Sequence, residues 1–328
     1  MEAADAPQPA RLKDVTAAKA IVILHMYEMT DNTPLQRDGA WLHRAVAAAL
    51  REGRGLAVGK LGTAEFQTML CHVSHRGSSA APKQQMFVNA GLWPATDSTI
   101  ADWQRCLATE VLPNMDAIVA WNEPKAFEEA VFRATGVPTG CRRICLRALE
   151  PFYQSEDAAM WSQAIPAGTT VAVVSPFSAS VAKQIPQLAA LFPRPIWPVS
   201  GGGLVFETVQ TGCSPALDME GPAVWPPDVF ATGWRGAVAD VVERVVTCGA
   251  RVAVVGCGAL SLPICTALKA RGVVAIHTGG ATQVLFGIRG ARWTQHSVIS
   301  KMFNEHWITP SPAETPQNHT RVEGGCYW

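Results

Sequence analysis

The chain has 328 residues, of which 16% are charged and 48% are hydrophobic, and its formal net charge is zero. A neutral chain lacks the basic surface of proteins held mainly by phosphate backbones, so we expect no nucleic-acid partner. Its apolar content also differs from that of a disordered protein. At about 150 residues per domain, the length predicts roughly two domains.

The first half of the chain predicts an α/β unit. Residues 1–12 are polar and rich in proline, and we expect a disordered leader there. The N-terminal unit follows over residues 13–165. Its helices are predicted over 14–28, over 38–52, from Thr63 onward, over 98–111 and over 125–135, and its strands over 56–60, 117–121 and 144–149.

A second unit over residues 166–293 continues the alternation. Strands are predicted over 170–175, 196–199, 251–255 and 273–277, and helices over 179–191, 234–248, 260–271 and 281–288. Residues 212–233 contain many prolines and glycines and are predicted to be irregular, and the tail over 294–328 is expected to pack back on the body. Alternating strands and helices predict an α/β fold of two Rossmann-like units with mainly parallel sheets.

Cysteine usage and the apolar runs bear on the compartment. Nine cysteines occur without a CxxC pair, which is typical of reduced thiols rather than a disulfide framework. The first residues do not resemble a signal peptide. The apolar, uncharged run 252–268 is short for a membrane span and contains two glycines and a proline. We therefore expect a cytoplasmic protein without a membrane span.

A glycine turn follows the apolar strand that ends at Val255. Gly256 and Gly258 let the backbone turn tightly and bring amide groups close to a phosphate or ribose. NAD proteins usually have a third glycine and an acid after the next strand, where this chain has Ser261 and His277. Methyltransferases that bind S-adenosylmethionine are expected to have an acid at the same place, the end of the next strand. A nucleotide or nucleotide-sugar site therefore fits better, and a turn without a ligand stays open.

Polar residues follow the next predicted strand, at the edge where open α/β sheets bind ligands. His277 is a candidate base or phosphate donor, although a buried structural histidine fits equally well. Arg289 and Arg292 are candidates for neutralising a diphosphate. The candidate ligand-binding residues in the strand end itself are Thr278, Gly279, Gly280 and Gln283.

A third candidate lies in the first unit, where the predicted strand 56–60 turns into a helix. The turn contains Lys60, Gly62, Thr63 and, in the first helical turn, Glu65. Glutamate at this position is stabilised by the helix dipole alone. It also has the chemistry to bind sugar hydroxyls, to act as a base or to ligate a divalent cation such as Mn²⁺ or Mg²⁺. Lys60 is a candidate phosphate contact.

Several of these segments resemble the GT-D fold-like domain proteins. The resemblance covers roughly residues 50–328, and its most specific part is 275–293. The segments that carry it are Lys60-Leu-Gly-Thr-Ala-Glu65, Val174-Ser-Pro-Phe177, Val255-Gly-Cys-Gly258, Ala275-Ile-His-Thr-Gly-Gly-Ala-Thr-Gln-Val-Leu-Phe-Gly-Ile-Arg-Gly-Ala-Arg-Trp293, Asn304-Glu-His-Trp307 and Val322-Glu-Gly-Gly-Cys-Tyr-Trp328.

The resemblance implies a Rossmann-like glycosyltransferase architecture of the GT-D type. It places Ser175 among the candidate nucleotide contacts. Of the Asp-x-Glu metal motif of those enzymes only Glu65 is present, because Thr63 occupies the first position. The second motif of those enzymes has an acid and a histidine, and here it has His277 and Gly280.

The sequence therefore favours a glycosyltransferase that moves a sugar from a nucleotide sugar to a hydroxyl-bearing acceptor. Its catalytic candidates are Glu65 and His277. A Rossmann-type small-molecule methyltransferase or oxidoreductase is one alternative, and a catalytically inactive nucleotide- or sugar-binding protein is another. A homodimer stays open as the assembly.

Overall fold

The computed structural model describes residues 33–74, 80–155, 157–198, 202–217 and 223–328. Pro34–Trp328 form one compact unit. The predicted leader over 1–12 and the predicted helix over 14–28 lie outside the described residues. Of the helices that are described, none has the length and apolar character needed to cross a membrane.

A single parallel sheet forms the centre of this unit. Its strands are β1 (Leu56–Gly59), β2 (Ala117–Val119), β3 (Arg142–Ile144), β4 (Thr170–Ser175), β5 (Val205–Gln210), β6 (Val252–Val255) and β7 (Val274–His277). They lie in the order β3-β2-β1-β7-β6-β4-β5, and every pair is parallel. The prediction of an α/β fold with a parallel sheet is confirmed. Because β1 pairs with β7, strands from the predicted segments 13–165 and 166–293 lie in the same sheet.

Helices cover both faces of the sheet. They are α1 (Thr33–Glu52), α2 (Thr63–Val73), α3 (Ala80–Val88), α4 (Asp97–Cys106), α5 (Lys125–Ala134), α6 (Ser178–Gln184), α7 (Pro227–Ala231), α8 (Gly233–Thr247), α9 (Ser261–Ala270), α10 (Ala281–Leu285) and α11 (Ala291–Thr294). Helices α2, α3, α4, α5, α8 and α9 pack on one face, and α1, α6, α10 and α11 pack on the other.

The central strands are buried on both faces, and their apolar side chains alternate between two cores. In β6, for example, Ala253 and Val255 belong to one core while Val252 and Val254 belong to the other. This alternation follows from the two-residue period of a strand. It explains why the strands have continuous apolar sequences rather than alternating apolar and polar ones.

The structure differs from the predicted elements in several places. Helix α7, Pro227–Ala231, lies within the stretch 212–233 that was predicted to be irregular, and helix α3, Ala80–Val88, was not predicted. Helix α1 begins at Thr33 rather than Asp38, and the strand predicted over 144–149 ends at Ile144. The strand predicted over 196–199 is absent from the described residues there. Ile196 and Trp197 are apolar because they pack beneath the sheet, where the Trp197 indole N–H donates to the Leu285 carbonyl at 3.2 Å. Strand β5 lies at the edge instead.

The connections create a crevice at the carboxyl end of the sheet. After β1 the chain enters α2 on one face, and after the adjacent β7 it enters α10 on the opposite face. Neighbouring parallel strands whose connections leave on opposite faces are separated by an opening at their carboxyl ends, where open α/β proteins bind ligands. The candidate residues after β1 and β7 lie at this position.

Candidate functional site

The turn between β1 and α2 brings an ammonium and a carboxylate to the carboxyl end of the sheet. Lys60 follows the last residue of β1, and Glu65 lies in the first turn of α2. The Glu65 carboxylate lies against the Cα of Gly62. Burial raises the pKa of Glu65, opposed by the amide of its own backbone and by Lys60. Thr63 is exposed beside them.

Lys60 is partly buried and interacts electrostatically with Glu65, His277 and Arg292; these four side chains form the Lys60 cluster. Its ammonium nitrogen lies 4.6 Å from the centre of the Trp121 ring, which is cation–π geometry. The described residues provide no ion pair or hydrogen bond to it. Burial lowers the pKa of Lys60, which Glu150 and Glu65 oppose by attraction. An ammonium in this setting is suited to receive an anion.

Two consecutive glycines at the end of β7 lie between Lys60 and Arg292. A Cβ on Gly279 would lie 3.3 Å from Cε of Lys60, and a Cβ on Gly280 would lie 3.3 Å from Nη1 of Arg292. Successive Cα atoms are about 3.8 Å apart, so the two cationic side chains flank neighbouring positions of the backbone. The residues that the sequence placed in two separate motifs therefore meet at one edge of the sheet.

His277 ends β7 and is held in one tautomer. Its Nδ1 lies 3.0 Å from the Val255 carbonyl, which can only accept, so Nδ1 carries the proton and Nε2 is the basic nitrogen. Burial and the nearby charge of Lys60 lower the pKa of His277 to about 4. The imidazole is therefore neutral near pH 7, available as a hydrogen-bond acceptor rather than as a cation.

Residues after β2 hold the Lys60 turn in place. The Trp121 indole N–H and the Asn122 amide both donate to the Leu61 carbonyl, at 2.7 and 3.2 Å. Asn122 also donates to the Glu128 carboxylate through its side chain at 2.7 Å and its backbone at 3.2 Å. Burial raises the pKa of Glu128 to about 7. This network fixes the backbone from which Lys60 projects.

Replacing Asn122 by alanine tests that network. The substitution removes two side-chain hydrogen bonds and leaves a buried carboxyl with a single backbone donor. We expect Asn122→Ala to lower the free energy of unfolding by about 1–3 kcal/mol, measured by urea unfolding. The matched control is Asn318→Ala on the exposed surface, which we expect to change it by less than about 0.5 kcal/mol. Equal losses in the two variants would contradict the assignment.

The glycine turn after β6 has mainly structural contacts. A Cβ on Gly258 would lie 3.0 Å from the Ala90 carbonyl carbon, and the Ala259 amide donates to the Ala90 carbonyl at 2.8 Å. Gly256 packs against Thr282 and the carbonyl of Gly279. Close approach of other protein atoms therefore accounts for both glycines in the structure.

Other predicted ligand contacts have partners within the protein. Thr278 hydrogen-bonds Thr282 at 2.7 Å, and the Gln283 amide nitrogen donates to the Tyr327 carbonyl at 2.8 Å. Ser175 accepts a hydrogen bond from the Phe177 amide at the end of β4. Arg289 is exposed, with its guanidinium 6.0 Å from the centre of the Phe303 ring. The structure thus does not bring Arg289 into the Lys60 cluster.

Four charged or aromatic neighbours of the cluster were not among the candidates predicted from the sequence. Glu150 is buried, pairs with Arg147 at 3.0 Å and attracts Lys60. Glu323 and Tyr327 reach the cluster from the end of the chain through Arg292. For Arg147 and Glu150 the available signal was a pair of opposite charges just after β3. Glu323 and Tyr327 lie far from Lys60 along the sequence, so no local pattern indicated that they are neighbours.

The donor set around Glu65 does not suit a divalent cation. In the part of the chain that the structure describes, no three His, Cys, Asp or Glu side chains come together as metal ligands. The charged neighbours that act on Glu65 are the Lys60 ammonium and the carboxylate of Glu323. Mg²⁺ and Mn²⁺ prefer several oxygen ligands. We therefore assign no metal-dependent step to these residues.

The geometry defines the candidate site as Lys60, Glu65, His277, Gly279, Gly280 and Arg292 at the carboxyl ends of β1 and β7. Two cations flank a glycine pair beside a carboxylate of raised pKa and a neutral imidazole. This arrangement is suited to binding phosphate groups next to a reacting hydroxyl. Comparison of the chain with known proteins found no matching family model, no matching curated protein and no matching solved structure.

Proposed function

We propose that this protein transfers a sugar from a nucleoside diphosphate sugar to an acceptor hydroxyl. One observation carries the proposal: Lys60 and Arg292 flank the consecutive glycines Gly279 and Gly280 in the crevice between β1 and β7. Two cations at neighbouring backbone positions match the two phosphate groups of a diphosphate. The GT-D-like motifs in the sequence point in the same direction.

The leaving group sets what the cations do. In the transfer, the bond between the anomeric carbon and the diphosphate oxygen breaks and its electron pair goes to the diphosphate. A bond to the acceptor oxygen forms at the same carbon. Lys60 and Arg292 offset the negative charge that develops on the departing diphosphate, which is most effective in a site screened from water. Trp121 and Asn122 keep the Lys60 turn fixed, so little reorganisation is needed.

The acceptor hydroxyl loses a proton, and Glu65 is suited to receive it. Burial raises the pKa of Glu65, and a carboxylate with a higher pKa is a stronger base. His277 is neutral, and its free Nε2 accepts a hydrogen bond from a sugar or acceptor hydroxyl. These roles use both catalytic candidates of the sequence analysis.

Ligand-dependent thermal stability tests the proposal. The purified protein is screened with UDP, GDP, CMP, dTDP, their sugar conjugates, NAD and S-adenosylmethionine. We expect one nucleotide sugar to raise the melting temperature, because a ligand at about a hundred times its dissociation constant adds about 2.7 kcal/mol of stability. We expect Lys60→Met to abolish the shift. Glu65→Gln is expected to retain binding while reducing sugar transfer by about a hundredfold or more.

Lys301→Met on the exposed surface is the control for loss of a positive charge, and it should leave the shift unchanged. A shift with NAD or S-adenosylmethionine alone would replace the transferase by one of the other Rossmann-type activities. Nucleotide-sugar binding without transfer, unaltered in Glu65→Gln, would instead identify a binding protein. The absence of a shift with every ligand would contradict the proposal.

A further inference from the structure

Residues Glu323–Trp328, the closing segment, lie against the candidate site. The backbone amides of Ala291 and Arg292 donate to the carbonyls of Trp328 and Cys326, both at 2.9 Å. The Gln283 side chain donates to the Tyr327 carbonyl at 2.8 Å. The segment is therefore hydrogen-bonded to the same stretch that supplies Arg292 to the site.

The guanidinium nitrogens of Arg292 are hydrogen-bonded to side chains of the closing segment. The Tyr327 hydroxyl lies 3.3 Å from Nη1, and the Glu323 carboxylate pairs with Nη2. Cε1 of Tyr327 would lie 3.1 Å from a Cβ on Gly280. The proposed function assigns a phosphate to the position beside Gly279 and Gly280. Tyr327 lines this position, and Arg292, the cation beside it, is paired with Glu323.

The pair between Arg292 and Glu323 is of a kind that exchanges easily. The side chain of Arg292 is 33% exposed and that of Glu323 is 42% exposed, and ion pairs with this exposure contribute little to stability. Among the described residues Glu323 is the non-glycine residue with a left-handed backbone, at φ 47°. Such a backbone is unfavourable for glutamate. The resting position of Glu323 therefore includes an unfavourable backbone conformation.

We propose that Glu323 is the resting occupant of an anion subsite on Arg292 that a diphosphate group takes when ligand binds, and that the closing segment lifts as this happens. The inference rests on the proposed function for the source of the diphosphate, a nucleotide sugar. The carboxylate and the phosphate are alternative partners of one guanidinium, so each weakens binding of the other. Glu323 thereby sets the affinity of the site for its ligand.

Binding of inorganic pyrophosphate, UDP and GDP by the full chain tests this inference. Calorimetry is used to compare the parent protein with Glu323→Gln and Gly290→Ala. A Cβ on Gly290 would lie 2.5 Å from the carbonyl carbon of Tyr327, so the second variant displaces the segment without altering its charge. We expect both variants to bind a diphosphate about fivefold more tightly. In each of them Arg292 does not have to be released from the closing segment before the ligand binds.

Two controls separate charge and substitution effects. Glu305→Gln removes an acidic group with 84% exposure away from the site, and Gly140→Ala adds a Cβ with no atom within 4 Å. Both should leave diphosphate affinity unchanged. Hydrogen exchange provides a second measurement: the amides of Ala291 and Arg292 should exchange faster at saturating diphosphate.

Each outcome decides the inference. Tightening with pyrophosphate and nucleotides alike supports a general diphosphate subsite, and tightening with UDP or GDP alone supports one that requires the nucleoside. Equal affinity in Glu323→Gln and the parent, slower exchange at Ala291 and Arg292, or no binding of any diphosphate would overturn it. If pyrophosphate binding tightens while no nucleotide sugar binds, the subsite stands and the proposed transferase fails.

Discussion

Replacing Glu314 by alanine should lower the free energy of unfolding by about 3–5 kcal/mol. Glu314 is only 4% exposed, and its carboxylate accepts hydrogen bonds from the Ala179 and Ser180 amides, the first at 2.7 Å, and from the Ser180 hydroxyl. These amides are at the start of α6 and have no partner within that helix. Alanine would leave the buried amide and hydroxyl of Ser180 without this acceptor. Urea unfolding measures the loss.

Glu305→Ala is the matched control for Glu314→Ala, because it truncates the same residue type in the same region. The Glu305 side chain is 84% exposed, so we expect a change below about 0.5 kcal/mol. A loss in Glu314→Ala no larger than this would show that the carboxylate does not cap α6. Next to this contact, Phe177, which lies between β4 and α6, packs edge to face with Trp328, with ring centres 5.9 Å apart.

The sequence predicts the central strands well because each is a short apolar run that is buried on both faces. Strand β6, predicted over 251–255, spans Val252–Val255. It does not predict β5, Val205–Gln210, where a sheet edge exposes Val205 and Glu207 and the apolar pattern is weak. The apolar residues Ile196 and Trp197 instead indicated a strand. Burial beneath a sheet and burial within it give the same local composition.

The candidate site is partly predictable for a similar reason. The sequence predicts a turn at the carboxyl end of each of the strands β1 and β7, and the carboxyl ends of parallel strands lie at one edge of a sheet. That β1 and β7 are neighbours depends on pairing across more than 200 residues, which local patterns do not determine. The contact of Gln283 with Tyr327 likewise depends on the path of the chain end. The side-chain nitrogen of Gln283 donates to the Tyr327 carbonyl, and its side-chain oxygen accepts from the Trp293 indole, so both amide atoms already have partners.

The free energy of unfolding at acidic pH depends on His277, because burial and the charge of Lys60 lower the pKa of its imidazole. The pKa of His277 is about 4 in the folded protein against an ordinary value of 6.5. Above both values the ring is neutral whether the chain is folded or not. As the pH falls through 6.5 toward 4, the unfolded chain takes up a proton that the folded protein refuses, so stability is lost.

His277→Asn should remove this loss. Between about pH 7 and about pH 5 we expect the parent to lose about 2 kcal/mol more of its unfolding free energy than the variant, given about 1.4 kcal/mol per pKa unit. Asparagine keeps an N–H for the Val255 carbonyl. Urea unfolding at each pH measures both proteins.

The comparison between variant and parent is needed because other groups act in the same range. Burial lowers the pKa of His296 to about 4, which adds to the loss at low pH. Burial raises the pKa of Glu128 to about 7, so that carboxyl stabilises the folded protein as the pH falls from 7 toward its ordinary value. These terms oppose each other in the total and cancel in the difference. Parallel profiles for His277→Asn and the parent would therefore show that His277 is not held neutral beside Lys60, and the hydrogen-bond acceptor role proposed for its Nε2 would fall with it.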